Sequence, residues 1–190
     1  VQPGEHGYNA LRGNEGWHTD SSYMPLAAKA SVLSAQVVPS SGGETAVADM
    51  RDAYDALDQD MKDKIADLSA YHSLYQSQAK IGYTVATGAG YGYHTKGAPL
   101  RPLVKVHPVT GRKGLYVNAS FTTRIMELGH HESNDVLAML CNHIARGVHF
   151  QCRYRWENNS VAFWDNRCTQ HHAAWDYYPN VRHGYRVTIQ

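Results

Sequence analysis

Apolar and polar residues change places in short bursts along most of this chain, a rhythm closer to strands than to long helices. Residues 30–38 (ASVLSAQVV) form a mixed apolar run that ends in Pro39-Ser40-Ser41-Gly42-Gly43, so the pattern predicts a strand and then a turn. Asp49 can cap a short helix over residues 50–57, and a second helix is expected over 60–69. Residues 75–99 are rich in Gly and Tyr with little periodicity; so long an irregular stretch in a compact domain is expected to be a lid or binding loop. Strand-like runs follow at 102–107, 114–118 and 122–126, parted by turn signals such as His107-Pro108-Val109-Thr110-Gly111. Residues 133–146 carry the clearest helical period. Val136, Leu137, Leu140 and Ile144 fall on one face, and Gly147 stands where a helix stops. The tail alternates again at 150–156, 161–164 and 184–189. Many short strands and few helices predict a mainly β fold with flanking helices, a two-sheet jelly roll over residues 1–190 as a single domain.

Bulk properties narrow the function classes. A chain of 190 residues has room for one substantial core. Its net charge of +1, with Lys and Arg scattered, gives no footprint for nucleic acid or an anionic membrane, so neither is expected as a partner. The cysteines Cys141, Cys152 and Cys168 are odd in number and lack a C-x-x-C spacing, which favours reduced thiols and a cytoplasmic protein. No apolar stretch approaches membrane-spanning length, and the first residues show no signal-peptide pattern. Val1-Gln2-Pro3-Gly4-Glu5 reads like the interior of a longer protein. Twelve histidines and thirteen tyrosines are many for this length. Histidine is the commonest metal ligand, so the count raises the question of a metal site without answering it.

The strongest local feature is Trp17-His18-Thr19-Asp20. Residues two apart on a strand point to one side, so His18 and Asp20 can converge on one ion. An H-x-D pair alone is a weak signal and gains meaning only with a third ligand. Two histidines and one carboxylate leave open positions on Fe(II), which oxygen chemistry needs. The segment FWDNRCTQHHA, residues 163–173, supplies histidines far downstream, and Arg182 and Arg186 follow it. A guanidinium grips a carboxylate through two parallel hydrogen bonds, so the two arginines suit a dicarboxylate co-substrate and an anionic substrate.

With these segments in view, the chain resembles the taurine/2-oxoglutarate dioxygenase family, which includes the aryloxyalkanoate dioxygenases. WHTDSSYMP, VVPSSGGETAVADMRDAYDAL, LRPLVKVHPVTGRKGLYVN, FTTRI and FWDNRCTQHHA carry the resemblance, in family order, from about Asn14 to Ile189. It implies a double-stranded β-helix, with a further N-terminal stretch of strands and helices that this sequence does not contain. It implies Fe(II), 2-oxoglutarate as co-substrate and O₂. His18, Asp20 and His171 become the metal ligands, His171 rather than His172 because the ligand is third in T-Q-H. Thr45 and Arg182 would hold the distal carboxylate of 2-oxoglutarate. Arg186 would lie near the co-substrate and reach the acidic head of the prime substrate. Asn14, Tyr23, Gln78 and Phe121 would contact that substrate, while Trp164 and Asp165 would support the strand of His171. SSYMPL and HSLYQSQAKIGY lie closer to the aryloxyalkanoate enzymes, and FTTRI with WDNRCTQHHA closer to the taurine enzyme. A small organic acid, either an aryloxyalkanoate or a sulfonate such as taurine, is therefore expected as substrate, and a homo-oligomer is compatible with the sequence.

Two other classes use the same residues: a jelly-roll binding module without catalysis, and a Zn hydrolase holding zinc through the same His/Asp/His set. An intact ligand set with both arginines argues against the first. The second lacks a general base at a suitable spacing. Halogenation needs a small residue in place of the carboxylate ligand, and Asp20 is present.

Overall fold

The structure, a computed structural model, describes residues 16–84, 86–88, 90 and 92–190. Two three-stranded antiparallel sheets frame it. One has the order β11-β1-β9, from β1 (Ala30–Val37), β9 (Val161–Asp165) and β11 (His183–Ile189). The other has the order β10-β2-β8, from β2 (Thr45–Asp49), β8 (Gln151–Tyr154) and β10 (Thr169–Ala173). This is the expected jelly-roll framework, mainly β with helices outside. A third sheet, β4-β3-β7, joins β3 (Ser69–His72), β4 (Leu100–Pro102) and β7 (Thr122–Ile125), and β5 (Val104–Val106) pairs with β6 (Lys113–Leu115).

Side chains of paired residues share a face in an antiparallel ladder. Ser31 pairs with Thr188 and Trp164, and Leu33 with Arg186 and Ala162, so these define the inner face of the first sheet. Val32 pairs with Val187 and Phe163 on the outer face, where Val187 and Phe163 are largely exposed. The sheets are joined by the tight β9–β10 turn. There Asp165 Oδ1 accepts the Arg167 N–H at 2.9 Å and the Thr169 hydroxyl donates to Asp165 O at 2.7 Å, local bonds that reverse the chain in three residues.

The apolar core lies among the helices, the third sheet and the β5–β6 hairpin, with Ala48 of β2 joining it from the second sheet. Helix α1 (Met50–Asp55) is capped by Asp49, whose carboxylate accepts the Arg51 N–H at 2.8 Å. Helix α2 (Gln59–Ile65) is capped in the same way by Asp58 onto Met61. It ends four residues before the expected 69, because Ser69 already begins β3. Helix α3 (Leu74–Lys80), capped by Ser73, replaces the first turns of the stretch expected to be irregular. Helix α4 (His130–Arg146) buries Val136, Leu137, Leu140 and Ile144 against Met50, Ile65, Leu115, Val117 and Ile125. Each such side chain contributes about 1.5–3 kcal/mol by leaving water. The helix starts a turn earlier than its period suggested. Ser133 is fully buried and its hydroxyl accepts the Ile125 N–H at 2.9 Å, so it serves β7 rather than capping its own helix. No helix among the described residues is long and apolar enough to cross a membrane.

Candidate metal and co-substrate site

His18, Asp20 and His171 meet beside β10, all buried, with their ligand atoms within 4.8 Å of one another. His171 comes from β10. His18 does not sit on a full strand: it makes one antiparallel bridge to His171, through His18 N–H to His171 O at 3.1 Å and His171 N–H to His18 O at 2.9 Å. Asp20 already begins a turn. The two residues therefore converge because one backbone bridge is followed at once by a turn, and not through the regular strand alternation that the sequence suggested. The Thr19 hydroxyl adds a bond to Thr169 O at 3.2 Å, and Asn166 clamps the loop from the other side. Its amide accepts the Asp20 N–H at 3.0 Å and donates to Asp20 O at 2.8 Å and Ala28 O at 3.0 Å.

The proton placement follows from the partners. His18 Nδ1 lies 2.8 Å from the Gly16 carbonyl, an acceptor, so Nδ1 carries the hydrogen and Nε2 keeps its lone pair. Nε2 of His18 and Nε2 of His171 each lie 3.9 Å from Asp20 Oδ1. Burial lowers the pKa of both imidazoles, that of His171 to about 3 with the charge of His18 adding to the effect. Burial pushes the Asp20 carboxyl up, but His171, Arg186, His18 and the Ser31 hydroxyl together outweigh it and hold the group below its ordinary value. At neutral pH the cluster is two neutral nitrogens and one carboxylate, a donor set that fits a divalent transition metal. The Ser31 hydroxyl donates to Asp20 Oδ2 at 2.7 Å, which fixes the carboxylate rotamer and leaves Oδ1 facing the imidazoles. His171 Nδ1 is buried without a hydrogen-bond partner among the described residues.

Thr45 and Arg182, expected to act together, are neighbours: Arg182 Nη2 lies 3.4 Å from Thr45 Oγ1. Arg182 is partly buried, and burial lowers its pKa with Tyr177 in partial compensation. Among the described residues it has no carboxylate partner. A half-desolvated guanidinium without a counter-ion is costly unless an anion completes it. Gly43 makes room for it: its φ is +70°, and a Cβ there would stand 3.3 Å from Arg182 Cδ, 3.1 Å from Pro39 Cγ and 3.2 Å from a Tyr177 ring carbon.

Arg186 lies beside the cluster. Its Nη1 donates to Asp20 Oδ1 at 2.7 Å while its side chain stays 43% exposed, so it is tied to the cluster itself, at the inner face of β11. Tyr23 and Phe121 form an edge-to-face pair at 4.6 Å, and Phe121 stands 5.7 Å from the His18 ring. They build an aromatic wall beside the cluster. Gln78 lies on α3, buried, with its amide oxygen unpaired among the described residues; it borders a cleft of about 270 Å³ lined also by Tyr75, Tyr83, Thr84 and Tyr93. Asn14 lies outside the described residues. Trp164, half-buried on β9, packs its ring 5.1 Å from His171. Asp165 accepts both Arg167 and His107, at 2.6 and 3.0 Å on Oδ2.

His107, Asp165 and Cys168 also cluster closely enough to suggest a metal. The partners exclude it. His107 Nδ1 accepts the Val109 and Thr110 N–H groups, its Nε2–H is committed to Asp165, and the Arg167 guanidinium already neutralises that carboxylate. This cluster is a brace for the β9–β10 turn. The sequence reading missed Ser31, Asn166 and Trp156, whose indole N–H donates to Thr45 Oγ1 at 2.9 Å. Asn166 lies inside FWDNRCTQHHA, a segment singled out for its chemistry, whereas Ser31 and Trp156 lie in runs read only as strands.

A jelly roll that gathers two neutral imidazoles and a carboxylate carries the donor set of the 2-His-1-carboxylate metal proteins. Within that class, the chain belongs to the taurine catabolism dioxygenase TauD, TfdA family, whose model matches residues 1–188. It is 45% identical over 177 residues to an (S)-phenoxypropionate/alpha-ketoglutarate-dioxygenase of Sphingobium herbicidovorans, covering 87% of this chain and 59% of that protein. It is 37% identical over 176 residues to an alpha-ketoglutarate-dependent sulfonate dioxygenase of Saccharomyces cerevisiae, covering 92% of this chain and 42% of that one. The chain thus spans roughly half the length of such relatives. Among solved structures, AAD-2 in complex with Mn(II) and N-oxalylglycine superposes with a TM-score of 0.85 at 37% identity, over 96% of this chain and 71% of that one. The expected membership of the family that joins taurine and aryloxyalkanoate enzymes is borne out by the family model, with a phenoxypropionate and a sulfonate dioxygenase among the relatives.

Proposed function

We propose that the chain carries the catalytic core of an Fe(II)- and 2-oxoglutarate-dependent dioxygenase, one domain acting on a small organic acid in the cytoplasm, without nucleic-acid or membrane partners. The observation that carries this reading is the pairing of two sites: a buried His18/Asp20/His171 cluster, and a guanidinium, Arg182, without a carboxylate partner among the described residues, beside the Thr45 hydroxyl. A metal alone explains the first; a metal with a dicarboxylate co-substrate explains both. His18 Nε2, His171 Nε2 and Asp20 Oδ1 would hold Fe(II), which when bound supplies the activation of O₂ coupled to decarboxylation of 2-oxoglutarate to succinate and CO₂. The protein's residues do the rest. Ser31 and Asn166 hold the Asp20 carboxylate and its backbone in place. Thr45 and Arg182 would hold the distal carboxylate of 2-oxoglutarate. The aromatic wall of Tyr23 and Phe121 excludes water from the side of His18. Arg186, which donates to Asp20 Oδ1 in the metal-free site, would turn to the acidic head of the substrate when that oxygen holds the metal.

The aromatic wall favours an aryl body, in keeping with the phenoxypropionate relative, over the small chain of taurine. Hydroxylation beside the ether oxygen would give a hemiketal-type product that expels a phenol. Oxygen uptake and succinate release, with Fe(II), 2-oxoglutarate and a panel of phenoxyalkanoates, alkylsulfonates, alkyl sulfates and taurine, test the reading. Phenoxyalkanoates are expected to give the largest response, and His18→Ala or Asp20→Ala to abolish it. Full activity of either variant would sink the ligand assignment, and a response to taurine alone would sink the aryl preference.

A further inference from the structure

Thr45 opens β2 opposite Tyr154 of β8, and Trp156, two residues beyond Tyr154, turns back over the same end of the sheet. Trp156 is buried. Its indole N–H donates to Thr45 Oγ1 at 2.9 Å, its ring lies 5.6 Å from the Arg182 guanidinium carbon, and Tyr154 packs edge-on against it at 4.7 Å. Thr45 Oγ1 therefore accepts from two directions, Trp156 Nε1 and Arg182 Nη2. A hydroxyl has two lone pairs and one proton. With both lone pairs engaged, its proton is left to be donated, and among the described residues it has no acceptor. An indole nitrogen only donates, so this polarity cannot reverse as it could beside an amide or another hydroxyl.

We infer that Trp156 is a positioning residue for the co-substrate: its N–H fixes the Thr45 hydroxyl as a donor and its ring fixes Arg182, so that the pair offers donors alone and selects a carboxylate terminus. This rests on the reading of the site as one for 2-oxoglutarate. A carboxylate accepts from both groups. An ammonium terminus would set donors against donors, and an amide could meet only one of the two with its oxygen while its NH₂ faced the other, which leaves a polar group unpaired as it is desolvated.

The test is Trp156→Phe, which removes the N–H and keeps an aromatic ring beneath Arg182, in protein loaded with Mn(II) and titrated calorimetrically. Loss of one hydrogen bond that orients a charged contact predicts about five- to tenfold weaker 2-oxoglutarate binding. Mn(II) affinity, which reports the fold, stays at the wild-type value. So does binding of pyruvate, a 2-oxo acid without the distal carboxylate. In a Thr45→Val background, where there is no hydroxyl to orient, Trp156→Phe costs less than about twofold, because the two residues act through one bond. Wild-type affinity for 2-oxoglutarate in Trp156→Phe overturns the inference alone. So does an equal loss for pyruvate, or an equal loss in the Thr45→Val background, since either marks a purely structural role. A wild-type protein that binds pyruvate and 2-oxoglutarate equally, or neither, overturns the co-substrate reading along with it.

Discussion

Asn166→Ala should be among the most damaging single substitutions in this chain that touch no metal, co-substrate or substrate. Asn166 is 1% exposed, and its amide satisfies three backbone groups: Asp20 N–H, Asp20 O and Ala28 O. Alanine removes all three bonds and leaves those buried groups with no partner among the described residues. Each stranded buried group costs about 1–3 kcal/mol, and partial relaxation brings the sum to about 3–5 kcal/mol. That is a large share of the roughly 5–15 kcal/mol that holds a domain folded. The same loss frees the Asp20 backbone, so the carboxylate no longer presents Oδ1 to the imidazoles unaided. Second-layer changes of this kind cost about 10–100-fold in metal affinity. Asn166→Asp keeps the acceptor for Asp20 N–H but turns a carboxylate towards two carbonyls, so it should be at least as destabilising as alanine. Urea denaturation of the metal-free protein gives the first quantity, and Mn(II) titration followed by electron paramagnetic resonance gives the second. A loss below about 1 kcal/mol with unchanged Mn(II) affinity would refute the clamp, because surface-like tolerance of that size belongs to a residue without buried partners.

His72 is fully buried between the Ser22 hydroxyl at 2.9 Å and the Thr122 hydroxyl at 3.3 Å, and burial, with the charges of Arg101 and Lys105, lowers its pKa to about 3. An unfolded chain takes up this proton near pH 6.5 while the native state does not until about pH 3. Stability is therefore fully present above the unfolded pKa and falls as pH drops between the two, by at most about 1.4 kcal/mol per unit of pH for one group. His72→Gln should flatten the stability–pH curve over pH 6 to 4 by an amount of that order in urea titrations; an unchanged slope would mean that His72 is charged in the native protein. Arg182→Ala removes a charge-assisted contact worth about 1.5–3 kcal/mol and should raise the KM for 2-oxoglutarate at least tenfold, with a smaller effect on prime-substrate KM. Steady-state succinate assays separate the two, and the opposite pattern would exchange the roles given to Arg182 and Arg186.

How much of this could be read from the residues depends on the range over which each signal acts. The apolar period of α4 and the run of β1 are local, and both elements formed where expected. β2 is only TAVAD and β3 only SAYH, too short and too mixed to stand out from their surroundings, and both were missed. Their stability comes from partners such as Ala48↔Gln170 and Tyr71↔Arg124, which no local window contains. α3 was hidden because Ser73 caps a helix whose only buried residues are Ser77 and Gln78, so it has almost no apolar face to announce it.

The site divides along the same line. The side chains that would touch a metal or an anion are chemically few, so an H-x-D pair, a distant histidine and two arginines could be singled out from composition and order, with family resemblance choosing among them. The side chains that aim those groups are not limited to any residue type. Ser31 orients Asp20 from 11 residues away, Asn166 from 146, and Trp156 reaches Thr45 across 111. A serine, an asparagine and a tryptophan serve here for no reason that their neighbours in the chain reveal; each is selected by an acceptor or donor that only folding delivers. Substitutions at these three positions should therefore alter metal or co-substrate binding while leaving every recognisable site residue in place. Ser31→Ala illustrates the point: it deletes one bond to Asp20 Oδ2, frees the carboxylate to rotate, and should weaken Mn(II) binding with little change in 2-oxoglutarate discrimination. Trp156→Phe should do the reverse, so the pair of variants separates the part of the scaffold that holds a metal from the part that reads a carboxylate.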